Sequence, residues 1–191
     1  MTMALGLVGY NLWTAGAAGK RAESVTAQLV KAIPAASAAP IPSLEEEICY
    51  PDYVLTPHMD MSAQEVDGLV CIGLLEIPAI GLELPVQKEW SYSDLRASPC
   101  RYEGTVYFDN MVICGHNYSS HFGALKELNE GDGVFFTDMD GNRFSYRVKE
   151  TEILPPGAVE EMTTGDWELT LFTCTFGGAS RVTVRCSRIA E

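Results

Sequence analysis

Basic residues are scarce in this 191-residue chain, where 13 lysines and arginines face 26 aspartates and glutamates for a formal net charge of −13. That balance excludes a nucleic-acid partner, because phosphate binding needs clustered Lys and Arg, and here they are spread thinly. The acidity reads as solubility. No Cys-x-x-Cys pair occurs, and the spacings of the six cysteines fit neither a zinc ribbon nor a finger, so no metal is expected. Asp138-Met139-Asp140-Gly141-Asn142 superficially resembles the start of a calcium loop. Its Asp-Gly step between two alternating runs, Phe135-Phe136-Thr137 and Phe144-Ser145-Tyr146, reads better as a hairpin turn. No Gly-x-Gly-x-x-Gly or Walker-type loop follows a strand pattern, which removes the common nucleotide sites, and no cofactor is expected. Histidine is limited to three positions, so any acid–base chemistry has few candidates.

What is present is a thiol facing a fixed cation across one tight turn. Leu169 to Thr173 and Val182 to Val184 are rich in β-branched and apolar residues, and Phe176-Gly177-Gly178-Ala179-Ser180 supplies the glycines of a hairpin loop. Side chains alternate along a strand, so Leu169, Leu171 and Thr173 share one face while Thr170, Phe172 and Cys174 share the other. On the return strand Arg181, Thr183 and Arg185 oppose Val182 and Val184. With the aliphatic sets facing a core, Cys174 and Arg181 emerge together. Arg185 shares that face but lies about 13 Å away at roughly 3.3 Å per residue, and it is the alternative cation.

A cysteine nucleophile needs a proton acceptor, because the free thiol, with a pKa of about 8.5, is mostly protonated at neutral pH. His116 is best placed, since Met111-Val112-Ile113-Cys114 reads as a short buried strand and Gly115-His116-Asn117 as its exit into a loop. His121, in the same loop, is expected to line or cover the site, and His58 reads as surface. Cys49, Cys71, Cys100, Cys114 and Cys186 read as structural, since free cysteine is among the most often buried residue types.

These residues resemble the sortase family. Thr170-Leu171-Phe172-Thr173-Cys174 matches the sortase signature Thr-Leu-x-Thr-Cys, Gly115-His116-Asn117 is similar to its Gly-His motif, and Arg181 opens the strand after the cysteine loop as the family's arginine does. The resemblance runs from about Val70 to Ile189 and includes Leu74-Leu75-Glu76-Ile77-Pro78, similar to an early family strand. It implies a cysteine transpeptidase of Gram-positive cell surfaces, which cuts a sorting-signal peptide, holds it as a thioester and passes it to an amine such as a peptidoglycan cross-bridge or a pilin lysine. Cys174 is then the nucleophile, His116 the acid that protonates the leaving amine, and Arg181 the oxyanion donor. Thr173, Asn117 and His121 are the expected substrate-binding residues. A cysteine peptidase that only hydrolyses, or a non-enzymatic surface barrel, are the rival classes.

The rest of the chain divides at its prolines. Met1 to Gly19 is uncharged and apolar, and at about 1.5 Å per residue it falls just short of a hydrocarbon core of about 30 Å. It is expected to be a membrane anchor, cut from a longer helix, with the catalytic domain outside the cell membrane, although Lys20 and Arg21 follow it in the order opposite to the positive-inside rule. Residues 20–67 are expected to form a stalk helix, with Val25, Leu29 and Ile33 as an apolar stripe, and a linker broken by Pro34, Pro40 and Pro42. The catalytic domain is placed at 68–191. The expected fold class is mainly β, an eight-stranded sortase-type β-barrel with short helices, preceded by an N-terminal helical segment. The eight strand candidates are Leu69–Ile77, Leu84–Gln87, Gly104–Phe108, Met111–Cys114, Gly133–Thr137, Arg143–Ile153, Leu169–Cys174 and Arg181–Ser187, with helical turns near Ser93–Ala97 and Phe122–Leu128. Substrate-selecting loops are expected around Ile80–Pro85 and Gly157–Gly165.

Overall fold

The computed structural model describes residues 2–34 and 50–189, with side chains from residue 13 onward. The linker prolines Pro40 and Pro42, together with Cys49, lie outside the described residues. The chain opens on helix α1 (Thr2–Ala32) and a single turn, α2 (Asp52–Leu55). Strands follow as β1 (Gln64–Val66), β2 (Leu69–Ile77), β3 (Leu82–Gln87), β4 (Cys100–Glu103), β5 (Met111–Gly115), β6 (Gly133–Asp138), β7 (Arg143–Leu154), β8 (Leu169–Cys174) and β9 (Arg181–Arg188), with helix α3 (Val159–Thr163) between β7 and β8. Their order in the sheet is β1-β2-β3-β4-β5-β8-β9-β7-β6, and a further β2–β6 pairing closes eight of them into a barrel. Closure follows from the alternating pattern. Ile72, Leu75, Ile113, Val134, Phe136, Phe144, Tyr146, Leu169, Leu171 and Val184 point inward and are fully or almost fully buried in one core.

One strand lies four residues earlier than the pattern predicts. Gly104–Phe108 is not a strand: Gly104 has φ +72°, Thr105 caps a tight turn by accepting from the Tyr107 amide at 3.2 Å, and Asp109 has φ +51°. A Cβ at Gly104 would lie 2.1 Å from the Asn110 carbonyl oxygen, so this close approach admits only glycine. The strand is Cys-Arg-Tyr-Glu, β4, whose charged residues hide it from a hydrophobic-pattern reading. Strand β3 starts at Leu82 and carries Pro85 in its middle. Proline is tolerated there because β4 pairs with β3 only at Gln87, so no neighbouring strand calls for a Pro85 amide, and the Pro85 carbonyl accepts from Ser98 Oγ.

α1 is not a free stalk. It packs against β1, β2 and β3, with Ala22, Val25 and Leu29 at 0% exposure. Val25 and Leu29 meet Val66, Leu69, Cys71, Ala97 and Met139, with Ile33 packed beside them. No helix among the described residues is long and apolar enough to cross a membrane. Asp138 closes the β6–β7 hairpin as a turn. Its carboxylate accepts from the Asp140 and Asn142 amides, the Asn142 side chain and the Tyr107 hydroxyl, at 2.8 to 3.0 Å.

Candidate active site

β8 ends at Cys174, and the turn that follows returns the chain directly alongside. The Thr175 amide donates to the Ser180 carbonyl at 2.9 Å, the Ser180 amide donates to Thr175 Oγ1 at 3.0 Å, and Gly177 and Gly178 take φ of 82° and 77°. Cys174 therefore pairs with Arg181 on the last rung of β8 and β9. Directly opposed residues on such a rung share a face, with Cβ atoms about 4.5–5.5 Å apart. On the other side of β8 the parallel strand β5 reaches its last rung at Gly115, opposite Thr173. His116 is the next residue, so it leaves the sheet level with Cys174.

The two faces of β8 separate structure from chemistry. Leu169, Leu171, Val182 and Val184 belong to the barrel core, while Phe172 packs with Val112, Cys114, Cys100 and Met162 on the outer face that Cys174 shares. Among the described cysteines only Cys174 is not buried. Burial pushes the Cys71 thiol up to about 11 and those of Cys114 and Cys186 up to about 12, and it raises Cys100 as well, so these groups stay protonated and inert.

The two arginines have different employment. Arg181 is half-buried and donates through one nitrogen to the carbonyls of Gly178 (3.2 Å) and Ser180 (3.1 Å), with no carboxylate partner among the described residues. Its charge is free to meet an oxyanion. Arg185, at 3% exposure, is committed: it pairs with Glu152 at 2.7 Å and donates to Thr170 Oγ1, to the Met162 carbonyl and to the Glu161 carbonyl. It ties α3 to the barrel wall and does not reach the thiol's rung.

His116 is half-buried and its ring stacks on Tyr118, with centroids 4.7 Å apart and planes 19° from parallel. Burial, and to a lesser degree the positive charge of Arg96, lowers its pKa below the usual 6.5. The ring is thus neutral at pH 7 and offers one nitrogen as acceptor. Asn117, beside it, is half-buried in the loop. Two expected substrate contacts sit elsewhere. Thr173 is buried on the inward face and its hydroxyl donates to the Gly115 carbonyl at 2.8 Å, so it staples β8 to the strand carrying His116. His121 is at 0% exposure with neither ring nitrogen hydrogen-bonded, and burial pushes its pKa down to about 4, with the charge of His116 a smaller contribution. Its ring rests against that of Tyr118, centroids 5.5 Å apart, which in turn stacks on His116.

A cavity of about 590 Å³ opens beside His116. Its walls are Trp13 and Arg21 of α1, Tyr92 and Arg96 of the β3–β4 loop, and Tyr118. No local pattern marks these residues. They converge because α1 lies on the histidine loop: Ser120 Oγ donates to the Ala15 carbonyl at 3.3 Å, and a Cβ at Gly19 would sit 2.9 Å from that of Ser120. Of the expected loop at Ile80–Pro85, residues 80–84 line a separate cavity of about 690 Å³, bounded also by Glu23, Ala27 and Lys31 of α1 and by His121.

Comparison with known proteins agrees with this arrangement. The family model described as Sortase domain matches residues 75–189, more than half of the chain. Sortase A of Bacillus anthracis is 28% identical over 121 residues, covering 60% of this chain and 57% of that relative, so the match spans little more than half of the relative's length. Among solved structures, sortase C1 of Streptococcus agalactiae has a TM-score of 0.57 at 24% identity, over 66% of this chain and 72% of that one. Sortase C of Streptococcus pneumoniae has a TM-score of 0.60 at 22% identity over 93% of this chain and 89% of its own. These two share the fold. With its thiol, imidazole and guanidinium on adjoining strand ends and the family match spanning all three, the chain belongs to the sortase family.

Proposed function

We propose that this protein is a cysteine transpeptidase that cleaves a sorting-signal peptide through a thioester and transfers it to an amine. The observation that carries the reading is the Cys174–Arg181 rung lying next to the Gly115–Thr173 rung from which His116 emerges. The neutral imidazole of His116 takes the thiol proton, and Cys174 Sγ attacks the scissile carbonyl carbon. The carbonyl oxygen becomes an oxyanion beside the Arg181 guanidinium, whose charge no carboxylate among the described residues neutralises; such preorganised donors contribute on the order of 3 kcal/mol. As the C–N bond breaks, His116 returns the proton to the departing amine. An acceptor amine then attacks the thioester, gives its proton to His116, and the C–S bond breaks to free the enzyme. Acceptors of the family type are a peptidoglycan cross-bridge or a pilin lysine. In this reading the domain works outside the cell membrane, held there through its N-terminal segment.

The test is incubation of the full chain with a library of sorting-signal peptides and triglycine, with products read by mass. An amine-ligated product together with an acyl-enzyme adduct at Cys174 is expected. Free acid alone would make the protein a hydrolytic cysteine peptidase, and no acyl-enzyme at all would make it a non-enzymatic module.

A further inference from the structure

The chain has 26 acidic residues, yet among the described residues none of them lines the cavity beside His116. Two of its 13 basic residues do. Arg21 and Arg96 are both exposed, and neither has a carboxylate within ion-pair distance among the described residues; Arg21 makes one hydrogen bond, to the Asp67 carbonyl at 2.8 Å. Chance gives little reason for two uncompensated cations to meet in one cleft of a molecule with net charge −13. Aromatic rings stand around them: Trp13 at 71% and Tyr92 at 78% exposure, and Tyr118 stacked on the imidazole. The charge of Arg96 reaches that imidazole and favours its neutral form.

Chemistry assigns the cleft its occupant. By microscopic reversibility the histidine that protonates the leaving amine also takes the proton from the entering one, so the acceptor must approach through the space next to His116. An amine on a neutral or cationic scaffold, largely protonated at neutral pH, meets two guanidinium groups without carboxylate partners there and is repelled. An amine carrying its own anionic group is drawn in, because carboxylate and phosphate both match the arginine fork. We infer that the cavity bounded by Trp13, Arg21, Tyr92, Arg96 and Tyr118 is the acceptor subsite, and that it selects amines bearing a carboxylate or phosphate a few bonds from the nitrogen. This rests on the transpeptidase reading above and adds that α1, remote from the catalytic strands in sequence, contributes a wall to the site.

Three acceptors with the same two-carbon spacing test it: β-alanine, phosphoethanolamine and ethanolamine, each supplied to the full chain at equal free-amine concentration with one donor peptide. Transfer is read against hydrolysis in the same tube by mass, so a general loss of activity cancels from the ratio. The anionic acceptors are expected to exceed ethanolamine by about tenfold, the size two partly exposed ion pairs provide. In the R21Q/R96Q double variant the preference is expected to fall within about twofold of unity. The order of β-alanine and phosphoethanolamine identifies which acidic group is recognised. Equal transfer to all three, or a preference that survives the double substitution, overturns the assignment. A second measurement separates this inference from the transpeptidase reading: the His116 ring signals are followed by NMR while each compound is titrated without donor. Shifts with the anionic compounds only, lost in the double variant, support the subsite even if hydrolysis proves to be the sole reaction, and absence of any shift overturns it.

Discussion

His121 makes the protein acid-labile in a way that can be measured by itself. Its imidazole is fully buried, hydrogen-bonded through neither nitrogen, and has a pKa near 4 against an ordinary value of 6.5. In the unfolded chain the ring takes up a proton as pH falls through 6.5, while the folded protein resists until about 4. Between those values the unfolded state binds more protons, so stability is fully present above pH 6.5 and falls as pH drops through the window. The gap of about 2.5 pH units, at about 1.36 kcal/mol each, amounts to roughly 3 kcal/mol. His121→Leu removes the titrating group and the two unmatched polar nitrogens while roughly keeping the volume. Urea unfolding midpoints at pH 7, 6, 5 and 4, followed by tryptophan fluorescence, should show the leucine variant losing roughly 3 kcal/mol less than the parent across the range. Carboxylates and His116 titrate in both proteins and cancel from the comparison. At pH 7 the variant should be at least as stable, because no buried donor or acceptor is left unpaired. Parallel pH profiles for the two proteins would refute the reasoning.

Four further outcomes follow from the packing. Cys174→Ala should abolish acyl-enzyme formation while shifting Tm by no more than about 2 °C, since a half-buried thiol contributes little packing; turnover retained in the alanine variant would remove the nucleophile. Arg181→Ala should slow single-turnover acylation by about a hundredfold, with poor rescue by lysine, which lacks the planar fork. Arg185→Met should instead cost stability, roughly 2–4 kcal/mol by chemical denaturation, through the orphaned Glu152 and the freed α3 carbonyls, and a severe acylation defect confined to Arg185 would reverse the two roles. Deleting residues 1–49 should lower stability by roughly 3–6 kcal/mol by uncovering the partners of Val25 and Leu29; an unchanged denaturation midpoint would show that α1 is a detachable stalk after all.

Much of the candidate site's strand geometry is legible because it is local. A period of two along Leu169–Cys174 and Val182–Val184, with glycines between, determines which side chains share a face and which rung closes the hairpin. The same parity already placed Thr173 with Leu169 and Leu171, against its expected contact with substrate, and the hydrogen bond to Gly115 follows from that inward face. Strand β4 was hidden because Arg101 and Glu103 break the apolar pattern, while Val106-Tyr107-Phe108 imitates it within a turn. The burial of His121, the commitment of Arg185 and the cavity wall from α1 depend on contacts between residues far apart in sequence: Ala15 with Ser120 is a separation of 105, which no window of sequence spans.

The position of β8 has a consequence for how activity arises. This strand lies between β5 and β9, and its tie to β5 joins Thr173 to Gly115 across a separation of 58 residues. A hairpin of β8 and β9 can form early from local contacts, and it would carry thiol and guanidinium together, yet the imidazole arrives only when that hairpin docks against β5. A chain in which that hairpin has not docked on β5 therefore holds the thiol without this imidazole beside it. In the transpeptidase reading, full competence is coupled to barrel closure.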